Sequence, residues 1–147
     1  MRCKVPGEAI GTAWEERYRP PSVSALYLHI PFCSSKCAYC DFASWATRAD
    51  DVIMGRYVRS LMAQLDEVSA LGLLDGVRTA YVGGGTPSLL GPTLLGRLVS
   101  RVRELCPELV ELSCEANPES LSDELLCALV QSGATRVSMG VQSLDDA

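Results

Sequence analysis

The sequence lacks the features of membrane-spanning, exported and nucleic-acid-binding proteins. No apolar run approaches the ~18–20 residues that a membrane-spanning helix needs, and no apolar segment typical of a signal peptide follows Met1. Basic residues are scarce, since 13 Lys and Arg are outnumbered by 18 Asp and Glu, giving a net charge of −5. Because phosphate neutralisation needs the opposite balance, we expect no nucleic-acid partner.

Length and cysteine content narrow the class of protein further. The chain has 147 residues, too few for a complete (β/α)8 barrel, which takes about 250. Its seven cysteines, in the absence of an export signal, are more typical of metal ligands or free thiols than of a disulfide framework. We therefore expect a cytoplasmic protein, with peripheral membrane contact only through regions outside this sequence.

The chain divides at Pro20-Pro21 into an unpatterned leader, residues 1–23, and a core of alternating strand and helix patterns, residues 24–147. The patterns predict strands at residues 25–30, 77–82, 109–116 and 136–141. Helix start signals lie between them, at Asp50 or Asp51, at Gly91-Pro92, and at a capping box from Ser120 to Asp123. This alternation predicts parallel strands joined by crossover helices.

The strand faces favour one arrangement of these units. Three of the four strands have one apolar and one polar face: Tyr27 and His29 share the polar face of the first strand, and Glu115 lies on that of the third. Parallel strands buried on both faces usually read as continuous apolar runs. A sheet with one solvated face would also give this pattern. We favour an α/β fold that is the N-terminal part of a partial (β/α) TIM-like barrel, with about four parallel strands.

Three cysteines, Cys33, Cys37 and Cys40, lie within eight residues directly after the first strand. A structural zinc site needs four protein ligands, and the single histidine, His29, is held on a strand. An iron–sulfur cube normally takes four cysteines, so three leave one iron open for a small molecule. The spacing therefore favours a catalytic iron–sulfur centre over structural zinc or coincidental thiols. The neighbouring Lys36 is expected to be a solvated loop charge.

The ends of the other strands also carry polar or glycine-rich segments. The glycines at 83–85 let backbone amides approach a ligand closely, although a tight turn would need the same residues. Glu115 and Gln142 end the third and fourth strands, where they either bind ribose hydroxyls or serve as a solvated carboxylate and a turn residue. Barrel enzymes build their active sites at this edge, which favours the functional interpretation.

Taken together, these motifs resemble those of a known family. The CxxxCxxC loop resembles the hallmark of the radical S-adenosylmethionine (SAM) superfamily. The strings YLHIPFC (27–33), GGTPS (84–88), EANP (115–118) and GVQS (140–143) are similar to those of its coproporphyrinogen-oxidase-like branch. That branch includes oxygen-independent coproporphyrinogen III oxidase and the haem chaperone HemW. The resemblance extends over about residues 24–147.

The resemblance implies a [4Fe–4S] cluster on Cys33, Cys37 and Cys40, whose fourth iron takes the amino and carboxylate groups of SAM. An electron from a reductant protein would cleave SAM to methionine and a 5′-deoxyadenosyl radical. The residues that match the SAM contacts of the family are Tyr27, Tyr39, Gly84, Gly85, Thr86, Glu115 and Gln142. No residue of this stretch is assigned a catalytic role.

One position separates the two kinds of member. The oxidase pattern has a fourth cysteine two residues after the third, where this sequence has Phe42. The resemblance therefore favours a chaperone that binds and delivers haem. The alternatives are an oxidase that decarboxylates coproporphyrinogen III and a zinc-stabilised α/β binding module. As an N-terminal fragment ending after the fourth strand, the stretch alone is expected to be inactive, and either aggregation-prone or dependent on a partner.

Overall fold

The computed structural model describes residues 23–142, so all of the predicted leader but Val23, and the last five residues of the predicted core, lie outside the described residues. The described chain contains six strands and three α-helices. They are β1 Ala25–Ile30, β2 Phe32–Cys33, β3 Trp45–Ala46, α1 Val52–Ala70, β4 Thr79–Gly84, α2 Gly91–Leu105, β5 Glu111–Ala116, α3 Asp123–Ser132 and β6 Arg136–Met139. No helix among these is long and apolar enough to cross a membrane.

Four of the strands form one parallel sheet in the order β1-β4-β5-β6. The order of the four strands in the sheet is also their order along the chain, and each crossover between them contains one α-helix. A doubly wound sheet reverses its strand order at a switch point, whereas this order never reverses. The predicted α/β class with four parallel strands and crossover helices is confirmed.

The sheet has one covered and one open face. Leu28 and Ile30 point from β1 into the core between sheet and helices, at 1% and 0% exposure. Tyr27, on the opposite face, is 54% exposed and is in register with Tyr81 of β4. The polar face predicted for the first strand is therefore the open face of the sheet.

The helix starts follow local capping chemistry, with one difference from the prediction. Asp51 caps α1 by accepting a hydrogen bond from the Ile53 amide at 2.9 Å. The predicted capping box at Ser120 is wrong, because Ser120 lies in a 3₁₀ turn and Ser122 is the N-cap of α3. Ser122 accepts from the Leu125 amide instead, so the helix begins one residue after Ser122.

The sequence patterns did not predict the two short strands that flank the cysteine loop. Phe32–Cys33 pairs in parallel with Trp45–Ala46. The Trp45 amide donates to the Pro31 carbonyl at 2.8 Å, and the Thr47 amide donates to the Cys33 carbonyl at 2.7 Å. Two residues per strand are too few for an alternating pattern to show. The loop that carries the cysteines therefore begins and ends at a paired stem.

Candidate functional site

A cavity of about 850 Å³ lies at the carboxyl ends of the sheet strands. The structure brings nine of the ten predicted site residues to its lining: Cys33, Cys37, Tyr39, Cys40, Gly84, Gly85, Thr86, Glu115 and Gln142. The tenth, Tyr27, lies earlier on β1, on the open face of the sheet. Phe42 also lines the cavity. The edge at which four separate motifs were expected to meet is thus a single concave site.

The three cysteines occupy one loop and are free thiols. Cys37 is exposed, while Cys33 and Cys40 are half-buried. Within residues 23–142, no three potential ligands converge closely enough to hold one metal ion. A [4Fe–4S] cube takes each cysteine on a different iron, so its ligands stand apart rather than converge. The donor set of three thiols around an open cavity fits such a cube with one iron left for a further ligand.

His29 attaches the cysteine loop to the sheet. Its Nε2 donates to the Ala43 carbonyl at 2.8 Å, and its Nδ1 accepts from the Tyr27 hydroxyl at 3.4 Å. A carbonyl oxygen only accepts, so the proton lies on Nε2. A side chain at Gly84 would lie 2.6 Å from His29 Nδ1, and Gly84 has a φ of +123°. His29 therefore occupies space that only a glycine at position 84 leaves open.

Lys36 is exposed, as expected for a loop charge, and its side chain also links two parts of the cysteine loop. Its ammonium donates to the Phe42 carbonyl at 2.6 Å. Longer contacts of 3.5 and 3.4 Å join it to the carbonyl and hydroxyl of Ser44. The side chain thus links the segment between Cys33 and Cys37 to the segment after Cys40. Sequence spacing gives no sign of such a contact, because its acceptors are backbone atoms.

The glycine-rich end of β4 lies directly against the cysteine loop. The Gly85 and Thr86 amides donate to the Ile30 and Phe32 carbonyls, both at 2.7 Å. A Cβ on Gly85 would lie 2.5 Å from the Phe32 carbonyl oxygen and 2.9 Å from Cys33 Sγ. The Thr86 hydroxyl donates to Cys33 Sγ at 3.7 Å. The missing side chain at 85 therefore lets the strand end meet the first cysteine.

Glu115 faces the cavity with both carboxylate oxygens engaged. The Tyr81 hydroxyl donates to Oε1 at 2.7 Å, and the Gly84 amide donates to Oε2 at 3.0 Å. Burial raises the pKa of Tyr81, and its hydrogen bond to Glu115 raises it further. Tyr81 therefore stays protonated as the donor at neutral pH. Tyr81 was not predicted as a site residue, although it shares the open face with Tyr27.

The remaining predicted residues differ in how firmly they are held. The Tyr27 ring stacks on Tyr81, with ring centroids 6.1 Å apart and planes at 12°. Tyr39 is 77% exposed, and its hydrogen bond to Cys37 raises its pKa. Gln142 is exposed and has a φ of +62°, a conformation that few residues other than glycine adopt.

Ser88 connects the two loops that follow β4 and β5. Its hydroxyl lies 2.6 Å from the Ser120 hydroxyl and accepts from the Asn117 amide at 3.1 Å. Ser88 is 2% exposed. A hydroxyl this deeply buried holds the loop after residues 84–86 against the loop after Glu115. Ser88 belongs to the GGTPS motif at residues 84–88, but no role was predicted for its hydroxyl.

Comparison with known proteins gives close similarities. Residues 27–147 match the Radical SAM superfamily. The chain is 42% identical over 129 residues to the heme chaperone HemW of Mycobacterium tuberculosis (strain CDC 1551 / Oshkosh), covering 85% of this chain and 33% of that protein. It is 38% identical over 126 residues to the heme chaperone HemW of Lactococcus lactis subsp. lactis (strain IL1403), covering 84% of this chain and 32% of that protein.

A solved structure extends the similarity to the fold. Coproporphyrinogen III oxidase (HemN) from Escherichia coli, described as a radical SAM enzyme, matches with a TM-score of 0.73 and 30% sequence identity. The match covers 87% of this chain and 30% of that one. The chain thus spans about a third of the length of these relatives. Since the family match extends over most of the sequence, the chain belongs to the radical SAM superfamily.

Proposed function

We propose that residues 24–147 form the [4Fe–4S]- and SAM-binding core of a cytoplasmic radical SAM protein of haem metabolism, and that the full-length protein binds and delivers haem. The observation that carries the proposal is the shared cavity. Cys33, Cys37 and Cys40 line it together with Glu115 and the glycine-rich end of β4. An iron–sulfur cluster requires a loop rich in thiols. SAM requires polar groups such as a carboxylate and backbone amides.

In this proposal the chain divides the binding work between two elements. The thiolates of Cys33, Cys37 and Cys40 would hold the cluster and leave it open to the amino and carboxylate groups of SAM. Once reduced by a partner protein, such a cluster would supply the electron for the cleavage of SAM. The backbone at Gly84 and Gly85 approaches SAM without a side chain in the way, and Glu115 accepts hydrogen bonds from ribose hydroxyls.

Phe42 supports a chaperone rather than an oxidase. It is 61% exposed and lines the cavity, at the position where the oxidase pattern carries a fourth cysteine. An apolar aromatic ring there offers a surface for a porphyrin in place of a fourth thiol. The relatives at 42% and 38% identity are both named heme chaperones. Decarboxylation of coproporphyrinogen III is the second candidate, since the solved relative is an oxidase.

Cluster binding is tested with anaerobically purified and reconstituted protein. We expect about four irons and four sulfides per chain, and an EPR signal that changes when SAM is added. Cys37→Ala should abolish cluster binding, whereas the matched control Cys127→Ala, an exposed cysteine on α3, should leave it intact. Zinc without iron in wild-type protein would refute the proposal in favour of a structural zinc module.

The two haem-related functions are separated with the full-length protein. We expect a haem titration to show a saturable change in the Soret absorption, and no loss of carboxylates from coproporphyrinogen under reducing conditions with SAM. Turnover of coproporphyrinogen would contradict the chaperone proposal and support the oxidase. The absence of both haem binding and turnover would contradict both.

A further inference from the structure

Tyr81 has no role in the function proposed above, yet it makes one of the shortest side-chain hydrogen bonds in the described part of the chain. Its hydroxyl donates to Glu115 Oε1 at 2.7 Å. We propose that Tyr81 is a positioning residue, which holds the Glu115 carboxylate in the orientation that receives SAM. This inference rests on the proposed function, since it assigns a further residue to the same binding site.

The two carboxylate oxygens of Glu115 accept from different donors. Oε1 accepts from Tyr81, and Oε2 accepts from the Gly84 amide at 3.0 Å. The two donors fix the plane of the carboxylate, because rotation about its last bond would break both hydrogen bonds. Each oxygen keeps a further lone pair, and Glu115 lines the cavity. The carboxylate is therefore oriented before any ligand arrives.

Gly83 leaves the space in which Tyr81 and Glu115 meet. A Cβ on this residue would lie 2.7 Å from Tyr81 Cε1 and 2.9 Å from Glu115 Oε2. Both distances are shorter than real side-chain carbons allow. The space that a side chain at 83 would fill is the space in which the tyrosine ring and the carboxylate meet. The missing side chain at Gly83 thus makes room for Tyr81 and Glu115. In the same way, Gly84 makes room for His29 and Gly85 makes room for the cysteine loop.

Tyr81 is itself held in place by a neighbouring strand. The strand register sets Tyr81 beside Tyr27, and the two rings stack with planes at 12°. The ring of Tyr81 is therefore held by β4 and by its neighbour on β1. A positioning group must itself be fixed, because a mobile donor would not restrict its acceptor.

The test combines a measurement that needs SAM with one that does not. In Tyr81→Phe, the reconstituted protein should keep its iron content and its SAM-free EPR spectrum. The SAM concentration that half-saturates the spectral change should rise about tenfold, as expected for the loss of one charge-assisted hydrogen bond. In a double-mutant cycle, Tyr81→Phe added to Glu115→Ala should change that concentration less than about twofold.

The measurement without SAM is amide exchange at Gly84, followed by NMR on cluster-free protein. Because Glu115 Oε2 accepts from this amide, releasing the carboxylate in Tyr81→Phe should speed its exchange, as Glu115→Ala does. Gly83→Ala keeps both Tyr81 and Glu115, but its Cβ should push the two side chains apart. It should therefore also speed the exchange of the Gly84 amide. The matched control, Tyr57→Phe, removes a 2.7 Å hydroxyl bond to the His29 carbonyl. It should lower thermal stability and leave Gly84 exchange unchanged.

The outcomes separate the two proposals. If wild-type protein binds no cluster or SAM while Gly84 exchange rises in Tyr81→Phe, the proposed function fails and the positioning of Glu115 stands. If wild-type protein binds both, and Tyr81→Phe alters neither Gly84 exchange nor half-saturation by SAM, the positioning role is refuted. Additive effects of Tyr81→Phe and Glu115→Ala on half-saturation would refute it as well.

Discussion

The two walls of the cavity are built in different ways. The strand-end wall, formed by residues 84–86 and Glu115, belongs to the parallel sheet, and its backbone and carboxylate are hydrogen-bonded to neighbouring strands. The loop wall, residues 34–44, contains no helix or strand. Tyr39 in it is 77% exposed. Side chains of Lys36 and His29 tie this loop together and to the sheet.

Because the walls are built differently, we expect changes in one wall to affect mainly stability and changes in the other to affect mainly metal uptake. Changes in the strand-end wall disturb the ladder of the sheet and should lower the free energy of unfolding. Changes in the loop wall expose little additional apolar surface, so they should alter access to the cysteines with small effects on global stability. We therefore expect the loop wall, which carries Cys37 and Cys40, to be the less stable of the two.

The largest effect is expected where the walls touch, at Gly85. Gly85→Ala would set a Cβ 2.5 Å from the Phe32 carbonyl oxygen, and backbone atoms cannot give way as a flexible side chain can. We expect a loss of about 3 kcal/mol in the free energy of unfolding together with the loss of cluster binding. Urea unfolding and iron analysis measure the two effects.

The control for this change is Gly55→Ala, the same substitution within α1. There the nearest atom to the new Cβ is the end of the flexible Arg59 side chain, at 3.7 Å. Alanine should stabilise the helix by about 1 kcal/mol. Equal destabilisation by the two substitutions would contradict the argument from close contact.

Ser88→Ala should cause the next largest loss of stability. Its effects should be confined to the strand-end wall. It leaves the Asn117 amide without its 3.1 Å acceptor at a buried site, which costs about 1–3 kcal/mol. Because the change loosens the loop after Glu115, it should also weaken SAM binding while leaving iron content unchanged. Calorimetry and SAM titration measure these effects. Loss of the cluster in this variant would show that the walls are not independent.

His29→Ala tests the attachment of the loop wall. Without the 2.8 Å hydrogen bond to the Ala43 carbonyl, the loop should open more often, and the free energy of unfolding should fall by about 1 kcal/mol. Alkylation of Cys37 and Cys40 in cluster-free protein, followed by mass spectrometry, should become about fivefold faster. Cys114 is the unreactive reference, because burial raises its pKa to about 12. Unchanged alkylation would mean that His29 does not restrain the loop.

The smallest effect is expected for Lys36→Met. The ammonium is exposed and its acceptors are backbone oxygens that water can reach, so the free energy of unfolding should change by less than about 1 kcal/mol. Alkylation of Cys37 should still accelerate about two- to threefold. Lys36→Arg, which keeps a charged donor, should restore the wild-type rate. Failure of arginine to do so would assign the effect to packing.

The sheet and the position of the site at its edge could be predicted from the sequence. Alternation on β1 separated Leu28 from Tyr27, and glycine or polar residues marked the ends of β4 and β5. These features depend on neighbours in the chain, so a sequence pattern can display them. Nine of the predicted site residues line the cavity, and the family resemblance, rather than any strand pattern, singled out Tyr39 among them.

The contacts that orient the site were not predictable in this way. Tyr81 and Glu115 are 34 residues apart, and nothing near Tyr81 in the chain shows that its hydroxyl has a partner. The acceptors of His29 and Lys36 are backbone carbonyls, which every residue has. Choosing Ser122 over Ser120 as the cap of α3 likewise depends on the path of the preceding 3₁₀ turn.

The paired stem of the cysteine loop has a consequence for how this segment can vary in length. The pairing of β2 with β3 holds the two ends of the loop together, and residues inserted between them leave this pairing in place. Each doubling of a flexible loop costs only about 0.6 kcal/mol in closure entropy. Insertions between Cys40 and Trp45 should therefore be tolerated during divergence, while the spacing from Cys33 to Cys40 stays fixed by what the three thiols must hold.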